Sequence, residues 1–433
     1  MFVAVITVVA LGVASAVLAE KTLGGSGRSE LDLDPSKIAT RIPAGRVGVF
    51  DNTSSKTFQA TYELVGPFDA VRVVFGSDDQ HTPISVNGAI VSVLSSDEDV
   101  NNSGGEWSPV TSQGEAEFAI PPAPNARGQL SYAVSDWIPI KSVARRDGSD
   151  FPLLTVRARM ASTPELPVLG NGKDNFTNWA DRADGGRKFW WRAQDGDSVS
   201  NPSTFTSAEN TSQSPIFGVQ YLCDDKVITV AAVGDSITEG RGTYIGEGFV
   251  MPVLEKLNSQ SEIIKYEYAN FGWSGQNPAQ YAERALRLLD SDLKPDIMVF
   301  PAGSPNPASQ GPLTDEATSK MAADRNSVVA AAQSHNVVPL IWTWLPTDAT
   351  VRSYGTTDSK RLAYNAEVLK GARDGLLIAD AAGPLSGPTI AGQVQMAEGL
   401  NKDGIHPNDA GNAVIGGVIK PALMSALQRF EGR

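Results

Sequence analysis

The chain has 433 residues, of which 41% are hydrophobic and 20% charged, so its apolar content is that of a folded globular protein. This length suggests two or three domains. The net charge of −13 argues against sequence-independent nucleic-acid binding, which needs a basic surface, and disfavours docking on anionic lipid. The lone cysteine, Cys223, rules out an intrachain disulfide and a zinc site built from several cysteines. With only three scattered histidines, composition gives no reason to expect a metal.

The chain begins with an apolar segment that lacks charged side chains. Residues 2–19 read FVAVITVVALGVASAVLA, and the small residues Ala14, Ala16 and Ala19 suit a cleavage site. The pattern predicts a signal peptide over residues 1–19 and therefore a secreted or periplasmic protein. The alternatives are an uncleaved membrane anchor, because the stretch is long enough to span a bilayer, and a buried core helix.

Residues 20–213 are predicted to form a β-rich accessory domain. Short runs rich in Val, Ile, Phe and Tyr alternate with turn residues, which is typical of an all-β sandwich or barrel. These runs are Thr61–Val65, Ala70–Phe75, Ala89–Leu94, Glu117–Ile120, Leu130–Val134 and Leu153–Arg157. Residues 166–213 look loop-rich and are interpreted as a long connection or insertion.

Two adjacent tryptophans, Trp190 and Trp191, lie in the last part of this β-rich region. In a strand, neighbouring side chains point to opposite faces, so one ring is expected inside and one outside. The pair could form an aromatic platform for sugar rings, or it could fill the core of the sandwich.

Residues 214–433 contain alternating strand and helix patterns, and the change from the β-rich pattern lies near Lys226. The predicted strands are Val227–Val233, Ile263–Tyr268, Asp296–Phe300, Val337–Trp342 and Leu376–Ala379. The predicted helices are Gly248–Leu257, Ala279–Leu289, Asp315–Ser334, Ser359–Ala372 and Asp409–Phe430. This alternation predicts a five-stranded parallel α/β sheet, in which ligands bind at the carboxyl ends of the strands.

The run GDSI at residues 234–237 directly follows the first of these strands. It places Ser236 at the start of a helix, where backbone N–H groups favour negative charge. Taken alone, Asp235 and Ser236 could simply cap the helix.

A second run, DGIHPN at residues 403–408, lies near the C-terminus. An aspartate three residues before a histidine can bring its carboxylate to Nδ1 of the ring, as a catalytic triad requires. Nε2 of His406 would then be free to take a proton from a serine, with Asp403 as its orienting partner. For an isolated pair of this kind, a surface cap is the simpler interpretation.

Two further turns follow the second and third predicted strands. NFGWSG at residues 270–275 contains Gly272, whose backbone N–H could approach the strand ends, and PAGSPN at 301–306 contains the side-chain donor Asn306. Together with the N–H of Ser236, these groups could form an oxyanion hole. Trp273 and Asp235 are candidates for a substrate pocket.

These four segments, in this order, resemble the sequence blocks of the SGNH (GDSL-like) serine hydrolases. The resemblance covers residues 226–433, about half the chain, and implies a flavodoxin-like three-layer sandwich there; the all-β sandwich-like domain that precedes it is predicted from the strand pattern alone. It gives Ser236 the role of nucleophile, His406 that of base, Asp403 that of its partner and Gly272 that of an oxyanion donor. The third block departs from the family pattern Gly-x-Asn-Asp, because Asn306 comes one residue late and Pro307 replaces the aspartate. Ser304 is an alternative donor there.

The expected function is that of a secreted serine esterase that hydrolyses short acyl esters, with acetyl groups on a polysaccharide as the favoured substrate. No cofactor or metal is expected, and no nucleic-acid or stable membrane partner unless the N-terminal segment stays uncleaved. The alternatives are a lipid-ester or thioester hydrolase, an acyltransferase to a sugar, and a glycan-binding protein with a degenerate hydrolase domain.

Overall fold

The computed structural model describes residues 33–52, 54–77, 82–97, 99, 106–123, 131–161, 163–169, 186–243, 248–261, 264–307, 313–351 and 358–431. The predicted signal peptide over residues 1–19 lies outside these residues. Residues 33–433 form one compact unit.

The N-terminal half is built from short antiparallel strands. They are β1 (Ile38–Arg41), β2 (Arg46–Asn52), β3 (Lys56–Glu63), β4 (Phe68–Gly76), β5 (Ile84–Val86), β6 (Ala89–Leu94), β7 (Ser108–Val110), β8 (Phe118–Ile120), β9 (Tyr132–Val134), β10 (Ile138–Pro139), β11 (Leu153–Met160), β12 (Thr163–Leu169), β13 (Phe189–Asp195), β14 (Glu209–Asn210) and β15 (Ile216–Cys223). Short 3₁₀ turns lie at Pro35–Lys37 and Pro202–Thr204.

Two of the resulting sheets carry most of this half. One has the order β1-β15-β4-β10, with β9 also paired to β4, and the other has the order β14-β13-β3-β11-β6-β7. Their apolar faces contribute to one hydrophobic core, in which Tyr62 and Val156 of the second sheet join Val73 and Tyr221 of the first. The sandwich-like prediction is confirmed.

The interpretation of residues 166–213 as a loop-rich connection is wrong in part. Phe189–Asp195 is a full strand that pairs with β3 along its whole length, and Trp191 on it is 1% exposed in the core. Strand β15, which follows residue 213, also pairs with β1 and β4 of the N-terminal half. Local composition does not reveal these two strands, because the strands with which they mainly pair lie more than 100 residues away in the chain.

The C-terminal half contains the predicted parallel sheet. Its strands are β16 (Lys226–Gly234), β17 (Ile264–Gly272), β18 (Ile297–Pro301), β19 (Val338–Trp342) and β20 (Leu377–Ala379), in the order β17-β16-β18-β19-β20. The helices are α1 (Ser236–Glu239), α2 (Val250–Asn258), α3 (Pro278–Leu289), α4 (Asp315–Ser334), α5 (Asp358–Lys370), α6 (Ala382–Leu385) and α7 (Asp409–Glu431). A 3₁₀ turn at Gly371–Asp374 and a hairpin of β21 (Ser386–Ile390) and β22 (Gln393–Met396) complete this half.

Helices cover both faces of the parallel sheet, which confirms the three-layer prediction. Helices α2 and α7 pack together against one face, whereas α3 and α4 pack together against the other. The strands are therefore buried on both sides, which explains their nearly continuous apolar runs. The strand order is that of doubly wound folds, whose ligand sites lie at the carboxyl ends of the strands.

Helix α7 is apolar enough for its residues Asp409–Phe430 to meet the length and composition criteria of a membrane span. However, Ile415, Ile419 and Leu423 on this helix are fully buried in the hydrophobic core. Because a core helix meets the same criteria, the structure supports a packing role for α7.

A buried ionic cluster joins the two halves of the chain. Nη1 of Arg187 lies 2.6 Å from Oε2 of Glu267 on β17, and Nη1 of Arg41 lies 3.2 Å from Oε1 of the same carboxylate. Burial alone would raise the pKa of Glu267, but the two guanidinium groups hold that pKa below its usual value. The cluster therefore ties β17 to residues of the β-rich half.

Candidate active site

Ser236 lies at the sharp turn between β16 and α1. Asp235 is the N-cap of this short helix, and its Oδ1 accepts a hydrogen bond of 2.9 Å from the N–H of Ile237. Ser236 is the first residue of the helix and is 4% exposed. The strand end and the cap together hold the hydroxyl and the N–H of Ser236 in fixed positions.

The structure brings Ser236, His406 and Asp403 together in one hydrogen-bonded row. Oγ of Ser236 lies 2.8 Å from Nε2 of His406. Nδ1 of His406 lies 2.8 Å from Oδ2 and 3.0 Å from Oδ1 of Asp403. This geometry places a base beside a hydroxyl nucleophile and an acceptor behind the base, as Ser-His-Asp chemistry needs.

The carboxylate of Asp403 is held by its own turn. Besides the ring of His406, it accepts hydrogen bonds from the backbone N–H groups of Ile405 (3.1 Å) and His406 (3.0 Å). Partial burial works in the opposite direction, but these donors keep the pKa of Asp403 well below its ordinary value. Asp403 is therefore ionised wherever folded enzyme would act, and it favours a proton on Nδ1 of His406.

The predicted oxyanion donor Gly272 does not face Ser236 with a free N–H. Its N–H donates to Oδ1 of Asn270 at 2.9 Å. A Cβ atom at Gly272 would overlap the backbone of Glu239, so glycine is required here for close packing with α1. The prediction is corrected in this respect, because a side chain two residues earlier already uses the donor.

The turn after Gly272 contains a donor that is not already engaged. The N–H groups of Trp273, Ser274 and Gln276 donate to the carbonyls of Gly234, Arg46 and Trp273 at 3.0, 2.8 and 3.4 Å. The N–H of Gly275 has no hydrogen-bond partner in the described part of the chain, and Gly275 is exposed. Its φ of +79° lies in the left-handed region that favours glycine. The sequence offered this signal in the second glycine of NFGWSG.

The altered third block brings Asn306 to the same turn. Nδ2 of Asn306 donates to the carbonyl of Gln276 at 2.7 Å, so its side chain lies at the backbone of the residue that follows Gly275. The hydroxyl of Ser304 donates to Oδ2 of Asp235 at 2.6 Å. Ser304 therefore holds the side chain of Asp235, the residue before Ser236. Its hydroxyl proton is used in this bond, which contradicts the interpretation of Ser304 as an oxyanion donor.

Both residues predicted for a substrate pocket are buried. Asp235 is completely buried and accepts hydrogen bonds from Ile237 and Ser304, and burial raises its pKa. Trp273 is 2% exposed and lines a small cavity together with Arg46, whose guanidinium lies 5.0 Å from its ring centroid. Asp235 therefore holds the turn at Ser236 in place, and Trp273 packs against the β-rich half.

Two buried charged residues at the site were missed from the sequence. Arg284 on α3 donates to the carbonyls of Gly234 (2.6 Å) and Phe271 (2.9 Å), and so joins the ends of β16 and β17. Glu239 on α1 is fully buried, and burial raises its pKa to about 8. An arginine on the otherwise apolar face of the predicted helix 279–289 was the available signal for the first.

Among the described residues, no group of three or more His, Cys, Asp or Glu side chains is arranged to hold a metal ion.

Comparison with known proteins identifies a family match within the C-terminal half of the chain. Residues 232–414 match the GDSL-like Lipase/Acylhydrolase family. Similar solved structures include a GDSL-like lipase from Bacteroides thetaiotaomicron, with 21% identity and a TM-score of 0.36, covering 46% of this chain and 88% of that one. A lipase/acylhydrolase from Enterococcus faecalis has 19% identity and a TM-score of 0.34, covering 46% and 96%. A carbohydrate esterase family 3 structure from Talaromyces cellulolyticus has 19% identity and a TM-score of 0.34, covering 47% and 99%. No curated protein matches the chain.

Proposed function

We propose that this protein is a secreted serine esterase with Ser236 as nucleophile, since residues 232–414 match the GDSL-like Lipase/Acylhydrolase family. The observation that carries the proposal is the row from Asp403 through His406 to Ser236, with 2.8 Å at each of its two junctions. A hydroxyl, a base and an acceptor in that order are what nucleophilic acyl transfer requires.

In the first step, Oγ of Ser236 bonds to the carbonyl carbon of the ester while Nε2 of His406 takes its proton. Asp403 stabilises the imidazolium that forms. The tetrahedral intermediate collapses as His406 returns the proton to the leaving alcohol, and an acyl-enzyme remains. Water then attacks the acyl carbon with His406 again as base, and this step releases the acid and restores Ser236.

The oxyanion of each tetrahedral intermediate needs donors that are already in place. We assign this role to the N–H groups of Ser236 and Gly275, with the amide of Asn306 as the third donor. The amide of Asn306 carries two hydrogens, and one of them donates to the carbonyl of Gln276 at 2.7 Å, which places this donor group at the same turn as Gly275.

The proposed substrates are short acyl esters, with acetyl groups on a polysaccharide favoured. The burial of Asp235 and Trp273 supports short chains, since the side chains expected as pocket walls are occupied in packing. The apolar segment at residues 2–19 supports export, where acylated polysaccharides are accessible.

A glycan-binding protein with an inactive hydrolase domain is less well supported. A protein that only binds glycans would not need Ser236, His406 and Asp403 in hydrogen-bonding contact. In addition, Trp190 and Trp191 are only 9% and 1% exposed. Nε1 of Trp190 donates to Asn210 and that of Trp191 to the carbonyl of Ile216. These rings therefore serve packing in the sandwich.

The decisive experiment is hydrolysis of p-nitrophenyl esters from acetate to palmitate by the full chain and by Ser236→Ala. We expect activity on short esters and a loss of roughly 10⁴- to 10⁶-fold in kcat for the variant. Ser327→Ala, at an exposed serine on α4, is the matched control and should leave activity unchanged. Full activity of Ser236→Ala would refute the proposal, and preference for palmitate would redirect it to lipid esters. Adding an alcohol acceptor and analysing the products separates hydrolysis from acyl transfer.

A further inference from the structure

We propose that residues 42–46, which follow β1 and end at the first residue of β2, position the Trp273–Gln276 turn of the active site. On this view the β-rich half is a working part of the catalytic site and not a separable accessory. The inference rests on the proposed function, because residues 42–46 are expected to affect catalysis through the oxyanion donors.

The segment continues the parallel sheet beyond its edge strand β17. The N–H of Ile42 donates to the carbonyl of Tyr268 (3.0 Å), and the N–H of Asn270 donates to the carbonyl of Ile42 (2.8 Å). Further along, the N–H of Ser274 donates to the carbonyl of Arg46 at 2.8 Å. The last of these bonds lies inside the Trp273–Gln276 turn, so the N-terminal half reaches the site through its backbone.

The segment approaches the turn so closely that one of its positions must be glycine. A Cβ atom at Gly45 would lie 2.7 Å from the carbonyl oxygen of Gly272 and 2.9 Å from both Oδ1 of Asn270 and Cγ of Glu239. Two of these three atoms belong to backbone or to a side chain already hydrogen-bonded to Gly272. A methyl group at this position would therefore push the segment away from the end of β17.

The segment itself is firmly held by the sandwich. It follows β1, which pairs with β15, and leads into β2, which pairs with β12. The guanidinium of Arg46 lies 3.7 Å from the ring centroid of Phe217 and 5.0 Å from that of Trp273. The guanidinium therefore stacks between Phe217 of the N-terminal half and Trp273 of the C-terminal half, and this contact holds the two halves together.

The consequence for catalysis follows from the hydrogen bonds of the turn. With Ser274 held by Arg46, the next N–H, that of Gly275, has no partner in the described part of the chain and is exposed for an oxyanion. The carbonyl of Gln276, at the end of the turn, holds the side chain of Asn306. Two of the three assigned donors therefore depend on where residues 42–46 place this turn.

The test compares Gly45→Ala with Gly417→Ala in the full chain. Gly417 lies in α7, and a Cβ there meets nothing within 4 Å, so it is the matched control. Burst titration with p-nitrophenyl diethyl phosphate, which phosphorylates the nucleophilic serine, counts the active sites. We expect kcat per active site to fall roughly 10- to 100-fold in Gly45→Ala, since a displacement near 1 Å has such effects. Gly417→Ala should keep the wild-type value.

A purely structural role for Gly45 would lower the melting temperature and the number of titrated sites while leaving kcat per site unchanged. That result would overturn the inference. The wild-type midpoint of the pH–rate profile should be kept in Gly45→Ala, because the contacts of His406 and Asp403 do not involve the segment.

Amide hydrogen exchange provides a readout that needs no substrate. We expect the peptide containing Ser274 to exchange at least about tenfold faster in Gly45→Ala than in wild type, because opening of that bond exposes its amide. Unchanged exchange would refute the positioning role. If the wild-type chain hydrolysed no ester, the proposed function would fail, and the exchange result would still decide whether the segment holds the turn.

Discussion

Replacing Glu239 with glutamine removes an ionisable group that is fully buried where helix α1 meets the Trp273–Gln276 turn. Oε2 of Glu239 accepts a hydrogen bond of 3.3 Å from the hydroxyl of Ser274, and Oε1 has no hydrogen-bond partner among the described residues. Glutamine has nearly the same shape and stays neutral at every pH, so the change isolates the ionisation of the carboxyl group.

The size of the effect follows from the pKa of Glu239. Burial raises this pKa from 4.5 to about 8 in the folded protein. Below pH 4.5 the carboxyl is protonated in both the folded and unfolded states. Between pH 4.5 and 8 only the unfolded state releases the proton, so the free energy of unfolding falls by about 1.4 kcal/mol per pH unit. The full loss, reached above pH 8, is about 5 kcal/mol.

The assay is urea-induced unfolding of wild type and Glu239→Gln from pH 4.5 to 8.5, followed by tryptophan fluorescence. We expect the two proteins to have similar stability at the acidic end. As the pH rises, wild type should lose stability that the variant keeps, so the variant becomes progressively more stable relative to wild type. Glu283→Gln, at a half-exposed glutamate on α3, is the control and should follow wild type. Parallel stability curves for wild type and Glu239→Gln would refute the assignment of a buried neutral carboxyl.

Two further substitutions test the catalytic groups on the ester that wild type hydrolyses best. Asp403→Asn should lower kcat by roughly 10³- to 10⁴-fold, because an amide no longer selects the Nδ1–H tautomer of His406 or stabilises the imidazolium. Steady-state kinetics measure this change, and a loss of less than tenfold would contradict the triad. Asn306→Ala removes the donor to Gln276 and should lower kcat by roughly 10²- to 10³-fold with little change in KM. A rise in KM at unchanged kcat would instead place Asn306 in substrate binding.

Much of the fold could be predicted from local patterns, because burial determines which positions of a strand or helix are apolar. The five strands of the parallel sheet are buried on both faces and therefore read as apolar runs, and the predicted helix Asp315–Ser334 agrees with α4 at both ends. Strand β13 was missed because its main partner, β3, lies far away in the chain. The β21–β22 hairpin was also missed, since SGPTI and QVQM are short and mostly polar.

The sequence by itself determined the order of the four motifs and the identities of Ser236, His406 and Asp403 as a candidate triad. It did so because each motif directly follows a strand of one parallel sheet or forms a short turn, where chemistry depends on near neighbours. Only the tertiary structure decided which backbone N–H remains available after the second strand. The N–H of Gly272 is taken by Asn270 and that of Ser274 by Arg46, a residue more than 200 positions earlier. The first of these bonds is local, but the second depends on how a distant segment packs against the turn, and no local sequence pattern shows which distant segments pack together.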